Sequence, residues 1–223
     1  MSSTGQARRP YNAEGRRAQA RATRERILAT AQELFVARGY AGVSVADIAT
    51  AAGVSVPTVF AGFRSKANLL KEATETALVG DADPVPLHER PAMRHVVAAP
   101  TARELLERFA ALIVEAGPRA VPLYMVLHAA ADADPELARL ARTLDDHRLA
   151  GATRLAEVVL DRLGVRDAAR AAPDRLAHVR DTIWTFNSPQ LYDLLVTQRG
   201  WTPQRYGEWV TRGLVALVQP EGR

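Results

Sequence analysis

The side chains able to do chemistry gather between residues 44 and 66, which read Ser-Val-Ala-Asp-Ile-Ala-Thr-Ala-Ala-Gly-Val-Ser-Val-Pro-Thr-Val-Phe-Ala-Gly-Phe-Arg-Ser-Lys. The chemistry they support is hydrogen bonding and charge pairing, not bond making. Ser44 and Asp47 have the spacing of a capping box. Ser55 can cap a second helix, and Pro57 falls in that helix's first turn, where a missing N–H costs little. Outside this stretch the candidates are sparse. There is no cysteine, which excludes disulfides, thiolate metal sites and thiol catalysis. His128 and Asp132, and Asp174 and His178, lie four apart, the spacing of helix surface pairs; a metal needs three or four converging ligands. The histidines at 88, 95, 128, 147 and 178 share no pattern. No Ser/His/Asp order, carboxylate pair or phosphate-cradling glycine loop appears. No catalytic residue, metal ligand or cofactor is therefore expected.

The elements that position these residues are two short helices and a three-residue turn. Ile48, Ala49 and Ala52 form the inner stripe of the first, and small Ala49 lets a second helix pack close. Gly53 ends it, where a left-handed residue is favoured. Val54 plugs the corner, and Val59, Phe60 and Phe63 can face inward from the second helix. Such a helix-turn-helix places its second helix in the DNA major groove. The fragment alone equally fits an ordinary helical hairpin. Its flanks discriminate. Residues 24–39 carry Ile27, Leu28, Ala31, Leu34 and Phe35 at helical spacing, then Gly39-Tyr40. After the hairpin come Phe63-Arg64-Ser65-Lys66 and Leu69-Leu70.

The run ILATAQELFVARGYAGVSVADIATAAGVSVPTVFAGFRSK, within residues 23–70, resembles the DNA-binding domain of the TetR family of transcriptional regulators. The resemblance implies a recognition helix from Val56 to Gly62, with Val56, Pro57, Thr58 and Ala61 facing the groove. Thr58 can hydrogen-bond a phosphate or base edge; the other three make apolar contacts, for example with thymine methyls. It also implies phosphate contacts from Ser44 and Lys66 at helix N-termini. Tyr40 either reaches a phosphate or packs under the hairpin. Two departures stand out. Phe60 replaces a usual Tyr, so a phosphate-contacting hydroxyl is lost. Ala61-Gly62 replace residues that are often polar. Readout then leans on DNA shape and on an arginine arm.

Composition agrees with this reading. The chain has 223 residues, enough to bury a sizeable core as one or two domains. Apolar residues make up 48% and aromatics only 6%, with abundant Ala, which favours helix over sheet. Residues 1–80 hold 11 Lys+Arg against 6 Asp+Glu, a net +5, whereas residues 81–223 hold 18 against 19, a net −1. The basic excess sits on the hairpin segment, the footprint of a DNA reader. The first ten residues lack the apolar core of a signal peptide, and no apolar run approaches a membrane span. A cytoplasmic protein without a membrane partner is expected.

The organisation is all-α, with no persistent β alternation and no internal repeat. Residues 1–20 read as a basic flexible arm, in which Arg8, Arg9, Arg16 and Arg17 can reach the minor groove. Residues 21–80 are the helix-turn-helix domain, with helices at 22–38, 45–52, 56–62 and 66–79. Residues 81–100 hold four prolines and form a connector with a short helix at 91–98. Residues 101–223 are a helical ligand-binding and dimerisation domain, with helices at 102–116, 119–131, 135–163, 173–186, 190–198 and 203–218. Gly117-Pro118 is the expected break between the first two. The C-terminal run SPQLYDLLVTQRGWTPQRYGEWVTRGLVALV resembles one subgroup of the same family, more weakly, which implies a homodimer through the last helices and an internal ligand cavity. Trp201, Tyr206, Trp209, Leu214, Leu217 and Val218 form an apolar stripe too large for a monomer's end to expose. Phe109, Tyr124, Met125, His128, Trp184, Asn187 and Tyr192 are the candidates for lining an effector pocket, although most such residues are core.

The sequence thus reads as a ligand-responsive DNA-binding regulator, a repressor on a palindromic double-stranded operator, released by a small-molecule effector of unknown identity. An all-α enzyme or carrier would need a catalytic constellation. A ligand-independent DNA-binding protein would have a dry C-terminal core.

Overall fold

The computed structural model describes residues 13–81, 83, 85–165 and 173–218. Among them every regular element is helical. The order is α1 (Ala13–Arg38), α2 (Val45–Ala51), α3 (Val56–Phe63), α4 (Lys66–Val79), a 3₁₀ turn (Leu87–Glu89), α5 (Pro91–Val97), α6 (Ala102–Ala131), α7 (Pro135–Arg162), α8 (Pro173–Phe186), α9 (Pro189–Tyr192, continuing as π-helical turns over Asp193–Gln198) and α10 (Pro203–Val218). Side-chain caps begin most of the helices. Ser44, Ser55, Ser65, Thr101 and Asp134 each accept a backbone N–H from the turn they open.

Two cores hold these helices together. The first joins Ile27, Leu28, Phe35, Ile48, Val59, Phe63, Leu69 and Leu70 from α1–α4 to Leu123, Tyr124 and Leu127 of α6 and Leu137, Ala141 and Leu144 of α7. The DNA head therefore has no core of its own. The second lies among α5–α10, around Leu105, Leu106, Leu155, Val159, Ile183, Tyr206 and Val210. The central helix α6 touches α1, α4, α5, α7, α9 and α10. It is long and apolar enough to cross a membrane by length and composition alone. Its neighbours here are protein.

The connector is folded around one arginine. Arg90 is buried and donates to the Asp81 carboxylate (2.6 Å) and to the Val85 and Asp83 carbonyls (3.0 and 2.8 Å). These bonds hold Asp81 below the ordinary carboxylate pKa, with the Arg90 hydrogen bond the largest cause. Arg21 of α1 pairs with Asp83 at 2.8 Å.

The structure corrects four expectations. Residues 102–131 form one helix, not two, running through Pro118 and Pro122. Gly117 does not end it; it is the point where the Tyr192 ring of α9 lies against the α6 backbone, and a Cβ there would collide with that ring. A buried close approach looks in sequence like a terminator. Second, α1 begins at Ala13, so Arg16 and Arg17 sit exposed on a helix instead of an extended arm. Arg8 and Arg9 fall outside the described residues. Third, Phe60 points outward and is 47% exposed, while Val59 and Phe63 are 1% exposed. Val59 and Phe63 are four apart on the inner face, and Phe60 is a residue off it. Fourth, Tyr206, Leu214 and Val218 of the expected dimer stripe are fully buried inside their own chain, where α10 packs on α6 and α8.

Gly117→Val should destabilise the chain by about 1–3 kcal/mol, because the added side chain must displace Tyr192. Urea unfolding checks this. Unchanged stability would mean that α6 and α9 do not meet at Gly117.

Candidate nucleic-acid interface

The site starts from the caps. The Ser44 hydroxyl accepts the Asp47 N–H (3.1 Å) and donates to the Asp47 carboxylate (2.6 Å), which also accepts the Ser44 N–H (2.8 Å). The capping box is complete. These bonds lower the Asp47 pKa, with the side-chain bond to Ser44 the largest cause. Gly53 then takes φ +64, the left-handed turn read from the sequence. Ser55 accepts the Thr58 N–H (3.3 Å), and the two hydroxyls lie 2.8 Å apart. Thr58 is thus tied into the cap of α3, and an exposed hydroxyl that accepts from Ser55 keeps its own O–H for a further partner.

Val59 and Phe63 anchor α3, which presents Pro57, Thr58, Phe60, Ala61 and Gly62 to solvent, with Val56 half-buried. Arg24 of α1 braces it from behind. Arg24 donates to the Gly62 carbonyl (3.3 Å), pairs with Glu72 of α4, and lies over the Phe63 ring at 4.5 Å. Arg26 donates to the Ala52 carbonyl at the end of α2 (2.8 Å). The helix-turn-helix is therefore rigidly framed, and its outward face is small and largely apolar.

Tyr40 and Lys66 act as a unit. The Tyr40 ring stacks on Phe35 (centroids 5.9 Å), and the Lys66 ammonium lies 3.9 Å from the ring centroid. Of the two alternatives for Tyr40, its ring takes the packed one. Burial pushes the phenol up to about 12, with Asp134 and Glu136 adding to it, so it stays a neutral hydrogen-bond donor. Burial lowers Lys66, and Asp134 opposes that. Glu136 also accepts from the Ser65 hydroxyl at 3.5 Å. Acidic residues at the start of α7 therefore lie beside the cations of the head, a juxtaposition with no signal in the local sequence.

The effector candidates divide. Tyr124, His128, Trp184 and Asn187 are brought together around Arg148 of α7, a residue the sequence reading missed. Its side chain is 10% exposed and pairs with Asp145 at 3.0 Å. It donates to the Trp184 and Asn187 carbonyls (3.0 and 3.1 Å), closing the C-terminal end of α8. Its guanidinium carbon is 5.3 Å from the Trp184 ring centroid. His128 Nε2 lies 3.9 Å from Asp145. Burial pushes Tyr124 up to about 12, with Arg148 opposing and Asp145 adding. Three buried nitrogens here, His128 Nε2, Arg148 Nε and Trp184 Nε1, have no hydrogen-bond partner among the described residues. The signal that could have found Arg148 is its three-residue spacing from Asp145 on one helix face. Phe109 and Met125 belong to the second core. Tyr192 packs edge-on against Tyr206 at 5.0 Å. None of the nominated residues lines the groove between α6 and α10, where Glu107, Val114, Gly207, Glu208, Thr211 and Arg212 lie. His178 Nε2 meets the Leu217 carbonyl at 3.0 Å, and among the described residues no three possible metal ligands cluster.

The comparisons agree with this geometry. Residues 27–73 match the family described as "Bacterial regulatory proteins, tetR family". The whole chain is similar in fold to a transcriptional regulator (TerR/AcrR family) from Aquifex aeolicus, with TM-score 0.60, 21% identity, and 87% of this chain and 98% of that one covered. It is similar to the TetR family transcriptional regulator PfmR from Thermus thermophilus, with TM-score 0.54, 23% identity and coverages of 89% and 100%. It is also similar to NalD, the secondary repressor of the MexAB-OprM multidrug efflux pump in Pseudomonas aeruginosa, with TM-score 0.56, 21% identity and coverages of 91% and 100%. No curated protein matches the sequence. Fold and site define an all-helical transcriptional regulator with an N-terminal helix-turn-helix. Its residues 27–73, running from α1 into α4, carry the DNA-binding domain of the tetR family.

Glu136→Gln should tighten binding to any duplex about two- to fivefold at low salt, because it removes a negative charge beside Ser65 and Lys66. The gain should vanish at high salt. Binding isotherms across a salt series check it; an unchanged affinity at low salt would place the Glu136 charge outside the field felt by DNA.

Proposed function

We propose that the chain is a homodimeric repressor that binds a palindromic operator through α3 and leaves it when a small molecule binds in the C-terminal domain. The observation that carries this is the outward face of α3, exposed at Pro57, Thr58, Phe60 and Ala61 and framed by Ser44, Ser65 and Lys66 at neighbouring helix starts. Phe60 gives apolar surface for a thymine methyl or sugar. Ser44 and Lys66 reach the phosphate backbone, and Thr58 adds one polar contact per half-site. A dimer sets two such faces about one helical turn apart or somewhat more.

Support for an effector site is the polar group around Arg148. It joins α6, α7 and α8, and its three unpartnered nitrogens are buried, where leaving a donor unmade costs about 1–3 kcal/mol each. A ligand oxygen that accepts from Arg148 Nε or Trp184 Nε1 recovers that loss. For the dimer, the surface left on α10 and the loop before it includes Leu217, 50% exposed, and the half-buried Trp201 and Trp209. The NalD likeness favours repression by analogy.

Two experiments test this reading. Operator duplexes are first selected from a random library. Lys66→Ala should then weaken selected and scrambled DNA alike and lower the salt slope by about 1 per half-site. Thr58→Ala should cost about 1–3 kcal/mol on the operator alone and relax one base preference per half-site. If neither variant changes binding, α3 is not the reading helix. Separately, light scattering should find Leu217→Asp monomeric and folded. Leu214→Asp should unfold the C-terminal half, since Leu214 is 0% exposed within one chain. A monomeric wild type at micromolar concentration would contradict the dimer.

A further inference from the structure

The joint between α3 and α4 consists of Arg64 and Ser65. The Arg64 N–H donates to the Phe60 carbonyl at 2.8 Å and caps α3. The Ser65 N–H then turns back to the Phe63 carbonyl at 2.7 Å. That closure spans a single residue, and Arg64 in its centre has φ 64° and ψ −47°. This is the positive-φ form of the γ-turn, which is rare and strained for an L-residue. Among the described residues, the other positive φ values belong to Gly39, Gly53, Gly80, Gly164 and Gly200. The fold uses glycine wherever else the chain takes this hand.

The surroundings over-determine the turn. Phe63 is 1% exposed, and its carbonyl also accepts from Asn68 Nδ2 at 3.0 Å. Ser65 caps α4 by accepting the Asn68 N–H at 3.0 Å. The Arg64 side chain takes no part in this. It is exposed and makes no hydrogen bond or ion pair among the described residues. An arginine here adds strain without adding a contact. Strained residues of this kind concentrate at ligand clamps. The free cation projects from the C-terminal end of the exposed helix, one and two residues before Ser65 and Lys66.

We infer that Arg64 is a DNA-phosphate contact, held by a strained turn that glycine would relax. The inference rests on the DNA-binding reading above and extends it to a residue outside the recognition helix. Arg64 and Lys66 then bracket Ser65 and give the backbone two cations on one side of α3. Such contacts fix register on the duplex and carry no base preference.

Three variants separate charge from strain. Arg64→Gln keeps the strain and removes the charge. Arg64→Gly removes both. Arg64→Lys keeps both. Each is measured for thermal unfolding and for binding, across a salt series, to a random-sequence duplex of about 30 base pairs and to the selected operator. The expected loss for Gln and Gly is roughly tenfold per contact at about 0.1 M salt on both duplexes, with the salt slope lower by about 1 per half-site. Lys should bind like the wild type. Gly alone should raise Tm, by about 2–4 °C. Wild-type affinity and slope in Arg64→Gln would overturn the contact, and an unraised Tm in Arg64→Gly would overturn the strain. A wild type that binds neither duplex would instead overturn the DNA-binding reading itself.

Discussion

The recognition helix is held from behind by a core that the head shares with the rest of the chain. The apolar cluster inside α1–α4 continues without a break into α6 and α7. Here Ile27, Leu28, Phe35 and Leu70 share one core with Leu123, Leu127, Leu137 and Leu144, through contacts of α1 and α4 with α6 and of α4 with α7. Arg119 of α6 adds a bond to the Ala77 carbonyl near the end of α4 (3.2 Å). The pose of α3 is therefore a function of where α6 and α7 lie. Removing that contact would expose the head's inner surface, so the head and the long helices must move as packed bodies.

The same arrangement would give the proposed effector site a physical route to the DNA-binding face. On α7, Leu137, Ala141 and Leu144 pack in the shared core, and Asp145 and Arg148 follow directly in the polar group beside Trp184. At the other end of that helix Asp134 and Glu136 face Lys66 and Ser65. One helix thus touches the proposed ligand site, the core beneath α3 and the cations proposed to meet phosphate. A ligand that repositions Arg148 has to act through α7, and a small shift at its start changes both the packing and the field at Lys66. The energy available is the differential affinity of the ligand for the two positions, no more.

The local parts of this structure were legible in the sequence because short-range physics fixes them. The Ser44–Asp47 box, the left-handed Gly53, Pro57 in the first turn of α3 and the Asp134-Pro135 start of α7 all act within a few residues. What was not legible depends on distant partners. Gly117 reads as a stop until Tyr192 is seen against it. Tyr206, Leu214 and Val218 read as a surface stripe because periodicity gives a helix face but not what covers it. Arg148 was missed because its spacing from Asp145 reads as an ordinary helix surface pair, and the carbonyls it meets on another helix leave no trace in sequence. Tyr40 was open between two roles, and the packing of its ring between Phe35 and Lys66 depends on partners that its own position does not reveal.

Hydrogen exchange with and without a selected operator duplex reads both halves of this picture at once. The expected result is slowed exchange at the start of α2, through α3 and at residues 64–66, together with a change at the α6–α7 corner around residues 128–138, which packs against the head. Protection confined to α2 and α3, with the corner unchanged, would contradict the shared core as the link between DNA and the C-terminal domain. Protection absent from α3 would contradict its role as the reading helix.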